Sequence, residues 1–362
     1  MDFDTIGGKS NKNGARFDLD AMYVNWLGLS LKCYLPKSEN SLSYVWESLK
    51  GKISYCNIKR LMFSSGWRYY AEIVVSGAAP TRVSIGTSTM GIDPGVSTIA
   101  GVSEDACVLE ELAPNAIQYE KKIQKISQRM DRSRRISNPN KYNEDGTINR
   151  SNRDPWKYSK NYVKMCRLLK SLYRKKHAYI VDSHRKLCNK LITIARYFQW
   201  KRCTSSASKE GKRNQTAGKK TEVKQKDGTV KVIQKYKRKK RFGRSINRRA
   251  PARFLLELKR KAEAVGGVYA EVDTKEFKAS QYNHVTDTYE KIPLSQREKE
   301  IGNRKVQRDL YSAFLIRNAD LDFKHPDREK CEYEFEHFAK MQDQLILKMK
   351  ESGLSMRQCF GF

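Results

Sequence analysis

Met90-Gly-Ile-Asp-Pro-Gly-Val-Ser-Thr-Ile-Ala-Gly-Val-Ser103 is the stretch around which the chain is organised. Met90 to Asp93 reads as a short buried strand that ends on a carboxylate. Pro94 and Gly95 turn the chain, and Thr98 to Val102 reads as a second strand. A carboxylate at the end of an apolar strand costs stability unless its charge is compensated. In one reading a divalent metal compensates it; in the other the stretch is an ordinary β-hairpin with a capping Asp. Taken alone, the stretch leaves the two level.

The 362 residues, 39% of them hydrophobic, suffice for two modest domains with a real core. Against 40 Asp and Glu stand 72 Lys and Arg, a formal charge of +32. Such a chain repels itself until phosphates neutralise it, so a polyanionic partner is expected. Nucleic acid is the first choice and an anionic membrane surface the second. No apolar run approaches a membrane span, and Met1-Asp-Phe-Asp4 lacks the basic start and apolar core of a signal peptide. A soluble, cytoplasmic and nucleoid-associated prokaryotic protein is therefore expected. The eight cysteines are scattered with no CxxC spacing, and read as reduced, mostly buried thiols rather than a zinc site.

Residues 1–85 carry strand-like runs, Trp26 to Tyr34, Ile53 to Phe63 and Trp67 to Val75, broken at Gly66, Gly77 and Ala79-Pro80. They predict a small β-rich module. Beyond the Asp93 hairpin, Ile117, Ile123, Ile126 and Met130 have helical spacing, with Lys121, Lys122, Arg134 and Arg135 among the cations of the same helix. Asn138-Pro139-Asn140 and Asp145-Gly146 mark a loop, and a second helix is predicted from Asp154-Pro155 towards Ile194. Residues 116–195 thus form a basic helical hairpin suited to phosphate contact. Tyr197 to Cys203 reads as another strand.

Residues 204–249 shift to Lys, Arg, Gly, Ser and Gln. A hairpin is predicted about Asp227-Gly228. The run Lys237, Arg238, Lys239, Lys240, Arg241 reads as a phosphate-binding arm, joined by Arg244, Arg248 and Arg249. Ala252 to Ala264 is an amphipathic helix stopped by Gly266-Gly267. Val268 to Val272 is then a strand carrying a second inward-capable carboxylate, Glu271. Asp309 opens a further helix with Arg308 just before it, and residues 321–362 read as a helical tail. No internal repeat is present.

Gly91-Ile-Asp-Pro-Gly95, Phe242-Gly-Arg-Ser245, Arg249-Ala-Pro251, Leu258-Lys-Arg-Lys-Ala262, Gly266-Gly267, Ser280-Gln281, Pro293-Leu-Ser-Gln-Arg297 and Gln307-Arg-Asp-Leu-Tyr-Ser-Ala313 occur in one order. That ordered set, over roughly residues 67–316, resembles the TnpB (OrfB) proteins of small bacterial insertion sequences. The resemblance implies an RNA-guided DNA endonuclease related to type V CRISPR effectors, with guide RNA and a double-stranded DNA target as partners. The implied fold is α/β, a ribonuclease H-like (RuvC) mixed sheet flanked by helices and spanning residues 86–320. Its single site would hold two Mg²⁺ ions for in-line phosphodiester hydrolysis. Asp93 matches the family's first catalytic carboxylate and Asp309 the third.

The second carboxylate departs from the pattern. The family keeps a Glu on the strand corresponding to Tyr197 to Cys203, where Lys201 or a near neighbour stands. Lys-Thr-Glu222 resembles the local family sequence but lacks a buried strand before it. Glu271 is the better candidate, because it lies on an apolar strand ahead of the third motif; some members of the resembled family and the related Fanzors use such a relocated glutamate. The other outcome is a broken site in which a Lys facing Asp93 and Asp309 replaces a metal with its own charge. Residues 276–306 correspond to the family's zinc element, but its cysteine positions fall on Asn283, Thr286 and residues 300–303, so no zinc is expected. The region before Asp93 is shorter than a complete wedge and recognition region, so it is either shortened or begins late. Three functions stay open: a Mg²⁺-dependent RNA-guided nuclease using Asp93, Glu271 and Asp309, placed slightly ahead; a nuclease-dead RNA-guided binder acting as a repressor; and an unguided nucleic-acid-binding protein.

Overall fold

A computed structural model describes residues 5–7, 14–63, 65–81, 83–201, 217–224, 230–236, 243–293 and 296–355. The chain divides into two compact units, residues 1–84 with 115–183, and residues 85–114 with 184–362.

In the second unit, β1 (Ser88–Pro94), β2 (Thr98–Val102), β3 (Cys107–Glu111), β4 (Ala195–Lys201) and β5 (Val268–Val272) form one sheet in the order β5-β4-β1-β2-β3. The first three are consecutive antiparallel neighbours, while β4 and β5 join the other side in parallel. Parallel neighbours require crossovers. The first runs through α1 (Ala116–Ser137) and α2 (Lys160–Ile194), the second through the hairpin Ala217–Lys224/Val230–Tyr236 and α3 (Pro251–Ala264). The result is the mixed α/β, ribonuclease H-like class expected. β1 and β2 are buried along most of their length, which is why they read as apolar runs rather than as alternating ones.

Helix α4 (Arg308–Arg317) crosses one face of this sheet, buried from Arg308 to Ile316. Its first turn is capped by the Gln307 side chain, which accepts from the Leu310 N–H at 2.6 Å. Gly91 lets it approach: a Cβ there would lie 2.1 Å from the Ala313 carbonyl and 2.3 Å from the Arg317 nitrogen. Helix α5 (Arg328–Glu351) closes the same core, contributing Cys331, Phe338, Ile346 and Met349 beside Tyr311, Phe314 and Phe277. This helix lies in the stretch read as a C-terminal helical tail, residues 321–362.

Residues 276–306 fold as two short hairpins, Tyr282–Asn283 with Thr288–Tyr289 and Glu298–Ile301 with Arg304–Gln307. Side chains from α4 and the hairpins pin them. The Tyr311 hydroxyl accepts from the His284 N–H at 3.2 Å and lies 2.8 Å from its Nδ1. Lys299, buried, donates to the carbonyls of Tyr282 at 2.6 Å and Gln281 at 3.2 Å. Burial pushes the His284 imidazole down to about 4 and the Lys299 ammonium down to about 8.

In the first unit, Ala15, Phe17, Val24, Leu49 and Cys56 form a small core under two three-stranded sheets. The strand run expected at Trp26 to Tyr34 is a tight hairpin, Tyr23–Trp26 with Leu29–Lys32. Leu27 and Gly28 turn it with positive φ. The long pair Ile53–Phe63/Gly66–Val75 meets α2 where the Arg174 guanidinium sits 3.8 Å above the Phe63 ring. Most of the helical hairpin, residues 115–183, belongs to this first unit. Helix α2 starts at Lys160, five residues beyond Pro155. Before it the Asn138 side chain ties the loop, donating to the carbonyls of Arg134 and Lys157, both at 2.8 Å.

Candidate functional site

Parity along the sheet decides which side chains meet. Gln199 is in register with Gly91 and Trp200 with Ile92, so one residue further sets Lys201 beside Asp93. Lys201 is in turn paired with Val272 and Trp200 with Glu271. In a parallel pair, registered residues share a face and successive residues alternate. Gly91 faces α4, so Asp93, Lys201 and Val272 face it too. Ile92, Trp200 and Glu271 face the other way.

On the α4 side the Asp93 side chain is 5% exposed and that of Lys201 33%, and the two form an ion pair. Burial raises the Asp93 carboxyl above its usual range; Lys201 opposes that rise, and the nearby Asp309 charge adds to it. Asp309, in the first turn of α4, is held by the Arg308 Nη2 at 3.0 Å and the Arg297 Nη1 at 3.5 Å. Arg308 itself is buried and donates to the Gln296 carbonyl at 3.0 Å. The structure thus brings Asp93 and Asp309 into one electrostatic site. It also places three cations there, of which only the lysine was anticipated. The Arg308 role was partly visible in its position beside Asp309; the Arg297 role depends on a fold-back that no local pattern signals.

Glu271 is not brought to this site. It is exposed on the opposite face, beyond the stacked pair of Trp200 and Tyr269, whose rings lie 5.2 Å apart at 7°. There Lys259 of α3 is held charged first by its hydrogen bond to Tyr269 and, as a lesser cause, by the Glu271 charge. The inward position on β5 belongs to Val272. Glu222 lies in the strand Ala217–Lys224, away from the five-stranded sheet.

The donor set does not fit a two-Mg²⁺ centre. Such a centre needs several carboxylate oxygens and a net negative pocket. Here two carboxylates face Lys201, Arg308 and Arg297. Among the described residues no group of three or more His, Cys, Asp or Glu is placed to hold a metal.

Of the cations expected on nucleic acid, Lys121 and Lys122 are exposed on α1. Arg134 and Arg135 are engaged internally, each 2.8 Å from Asp131, with Arg135 also donating to the Gly146 carbonyl at 3.0 Å. Their rings of contact are Trp156, 5.4 Å from Arg134, and Tyr142, 4.6 Å from Arg135. Arg249 is likewise structural: it pairs with Glu111, and its carbonyl lies 2.9 Å from His184 Nε2. Arg244 and Arg248 lie on the short helix Gly243–Arg249. The arm from Lys237 to Arg241 lies outside the described residues.

No protein-family model matches the chain. No curated protein matches it in sequence. Among solved structures, a Cas12f1–sgRNA–target DNA complex aligns with 78% of this chain and 48% of that one, at 12% identity and a TM-score of 0.45. A CRISPR-Cas12f ternary complex aligns with 78% of this chain and 49% of that one, at 16% identity and a TM-score of 0.35. The chain spans about half the length of either neighbour. At these scores the fold class rests on the sheet itself. No helix among the described residues is long and apolar enough to cross a membrane.

Proposed function

We propose that this chain binds nucleic acid as an RNA-guided DNA-binding protein of TnpB descent whose nuclease centre has been closed by an internal cation. The observation that carries the reading is the Lys201–Asp93 ion pair, in the row where the resembled family keeps a catalytic glutamate. A buried carboxylate that already has an ammonium partner has little need of a metal. Binding is supported by the net charge of +32. It is also supported by aromatic-cation surfaces in the first unit, where Tyr69 and Tyr70 are exposed and Arg60 sits 4.5 Å over the Trp67 ring. Guide RNA and double-stranded DNA are the partners this reading names, and repression by occupancy is its biological outcome.

The convergence of Asp93 and Asp309 favours a second reading, a Mg²⁺-dependent endonuclease in which another carboxylate completes the site. One experiment separates the two. The protein is purified from its own locus, its bound RNA is sequenced, and a matched DNA target is offered in Mg²⁺ and in Mn²⁺. The expected result is a discrete RNA and target binding without cleavage. Cleavage abolished by Asp93→Ala would overturn the closed-site reading, and binding indifferent to ribonuclease would overturn guidance.

A further inference from the structure

Beside Lys201, within the second unit, a cavity of about 300 Å³ opens. Lys201, Lys278, Thr274, Ser280 and Gln281 supply its polar lining and Phe277 part of an apolar floor; no carboxylate lines it among the described residues. Lys201 lines the cavity, while Asp93, its ion-pair partner, does not. A lysine has three donors. One meets Asp93, which leaves two for whatever enters. Asp309 does not offset this, because Arg308 and Arg297 already hold it.

We propose that this cavity takes one phosphodiester unit of an unpaired nucleic-acid strand without a metal ion. Lys201 bridges Asp93 and a phosphate oxygen, Lys278 adds a second cation, and the Thr274 and Ser280 hydroxyls donate to the remaining oxygens. The apolar floor receives the sugar or a base face. The volume is at the lower end for a small-molecule pocket and has room for one nucleotide but not for a duplex. The order carboxylate, cation, phosphate is that of a metal-bound strand, with an ammonium as the cation. Such a site holds a strand and does not cut it. The proposal rests on the nucleic-acid-binding reading above.

The test uses the full chain in EDTA with 12-nucleotide oligothymidine DNA and oligouridine RNA probes, titrated across salt concentrations. Wild type is expected to bind equally in EDTA and in Mg²⁺. Lys201→Gln alone strands the Asp93 charge and risks the fold, so the informative variants are Lys278→Gln and the neutral pair Asp93→Asn/Lys201→Gln. Each should lower the slope of log affinity against log salt by about 0.7, the value for one phosphate on a single strand, with a loss of about threefold in affinity. Lys201→Arg should keep the wild-type slope. A loss with either probe supports the site and names its strand. Unchanged slopes in both variants, wild-type binding abolished by EDTA, or complete displacement of the probe by low-millimolar inorganic phosphate would overturn it. Target cleavage in the preceding experiment removes the closed-site reading; unchanged slopes in a protein that does not cut remove only this site.

Discussion

Replacing Lys201 with Met tests whether the Asp93 charge is held by lysine alone. The variant leaves a carboxylate whose side chain is 5% exposed without its ammonium partner. Removing one member of a buried pair costs about 3–5 kcal/mol when the other stays charged. Asp93 has an escape, which is to take up a proton. From the ordinary aspartate value of 3.8, protonation at pH 7 costs 1.36 kcal/mol per unit, or about 4 kcal/mol, and that sets the ceiling. At pH 5 the ceiling falls to about 1.6 kcal/mol. The sign follows from linkage: the folded variant binds one proton more than the unfolded chain above pH 4, so stability is lost as pH rises. Urea unfolding followed by circular dichroism at pH 5 and pH 7 should show a penalty that more than doubles between them. Asp93→Asn should cost less, because the Lys201 ammonium can turn to water. The pair Lys201→Met/Asp93→Asn should recover most of the loss. A penalty below about 0.5 kcal/mol at both pH values would refute the reasoning, because surface pairs are worth that little.

Lys201→Glu introduces a third carboxylate to the site, so its melting temperature should climb with Mn²⁺ concentration while that of wild type stays flat; a flat response in the variant would show that Arg308 and Arg297 suffice to keep metal out. The His284 imidazole, down at about 4 through burial, is neutral in the fold and titrates near 6.5 when unfolded, so stability should fall by up to about 3 kcal/mol as pH drops from 6.5 to 4. His284→Gln should flatten that dependence in urea titrations. Lys299, at about 8 folded and 10.5 unfolded, works at the other end: stability should rise by up to about 3 kcal/mol between pH 8 and 10.5, and Lys299→Met should remove the rise. Gly91→Ala would place a methyl 2.1 Å from the Ala313 carbonyl, and should cost more than about 3 kcal/mol or prevent folding, read as lost secondary structure or insolubility.

Asp93 and Asp309 were legible because each sits in a short local pattern, a strand end before a Pro-Gly turn and the first turn of a helix. Lys201 was legible by comparing helix-strand patterns. The face of Glu271 was not. Which of Glu271 and Val272 points to α4 depends on the register between two strands whose paired residues lie 71 apart in sequence, and a slip of one residue would exchange them. Arg134, Arg135 and Arg249 looked like phosphate contacts because sequence shows their charge and not their partners; Asp131 is local to two of them, but Glu111 meets Arg249 across 138 residues. For the C-terminal helical tail, local periodicity carried more than composition did. The helical pattern of Phe335, Phe338, Met341, Leu345 and Met349 was visible there, and Phe338 and Met349 join Cys331 and Ile346 in the core.

Lysine and glutamate codons differ only in their first base, A against G. The ion pair that closes the Asp93 site therefore lies one transition away from a third carboxylate in the same row of the sheet. Any large population carrying this gene samples that substitution continually. Persistence of the lysine is then a matter of selection rather than of distance in sequence space. Arg308 and Arg297 change the reckoning, because a site with glutamate at position 201 would still carry two cations against Asp309. In genetic terms they are second locks, and sequencing of variants selected for cleavage should find changes there as well as at Lys201.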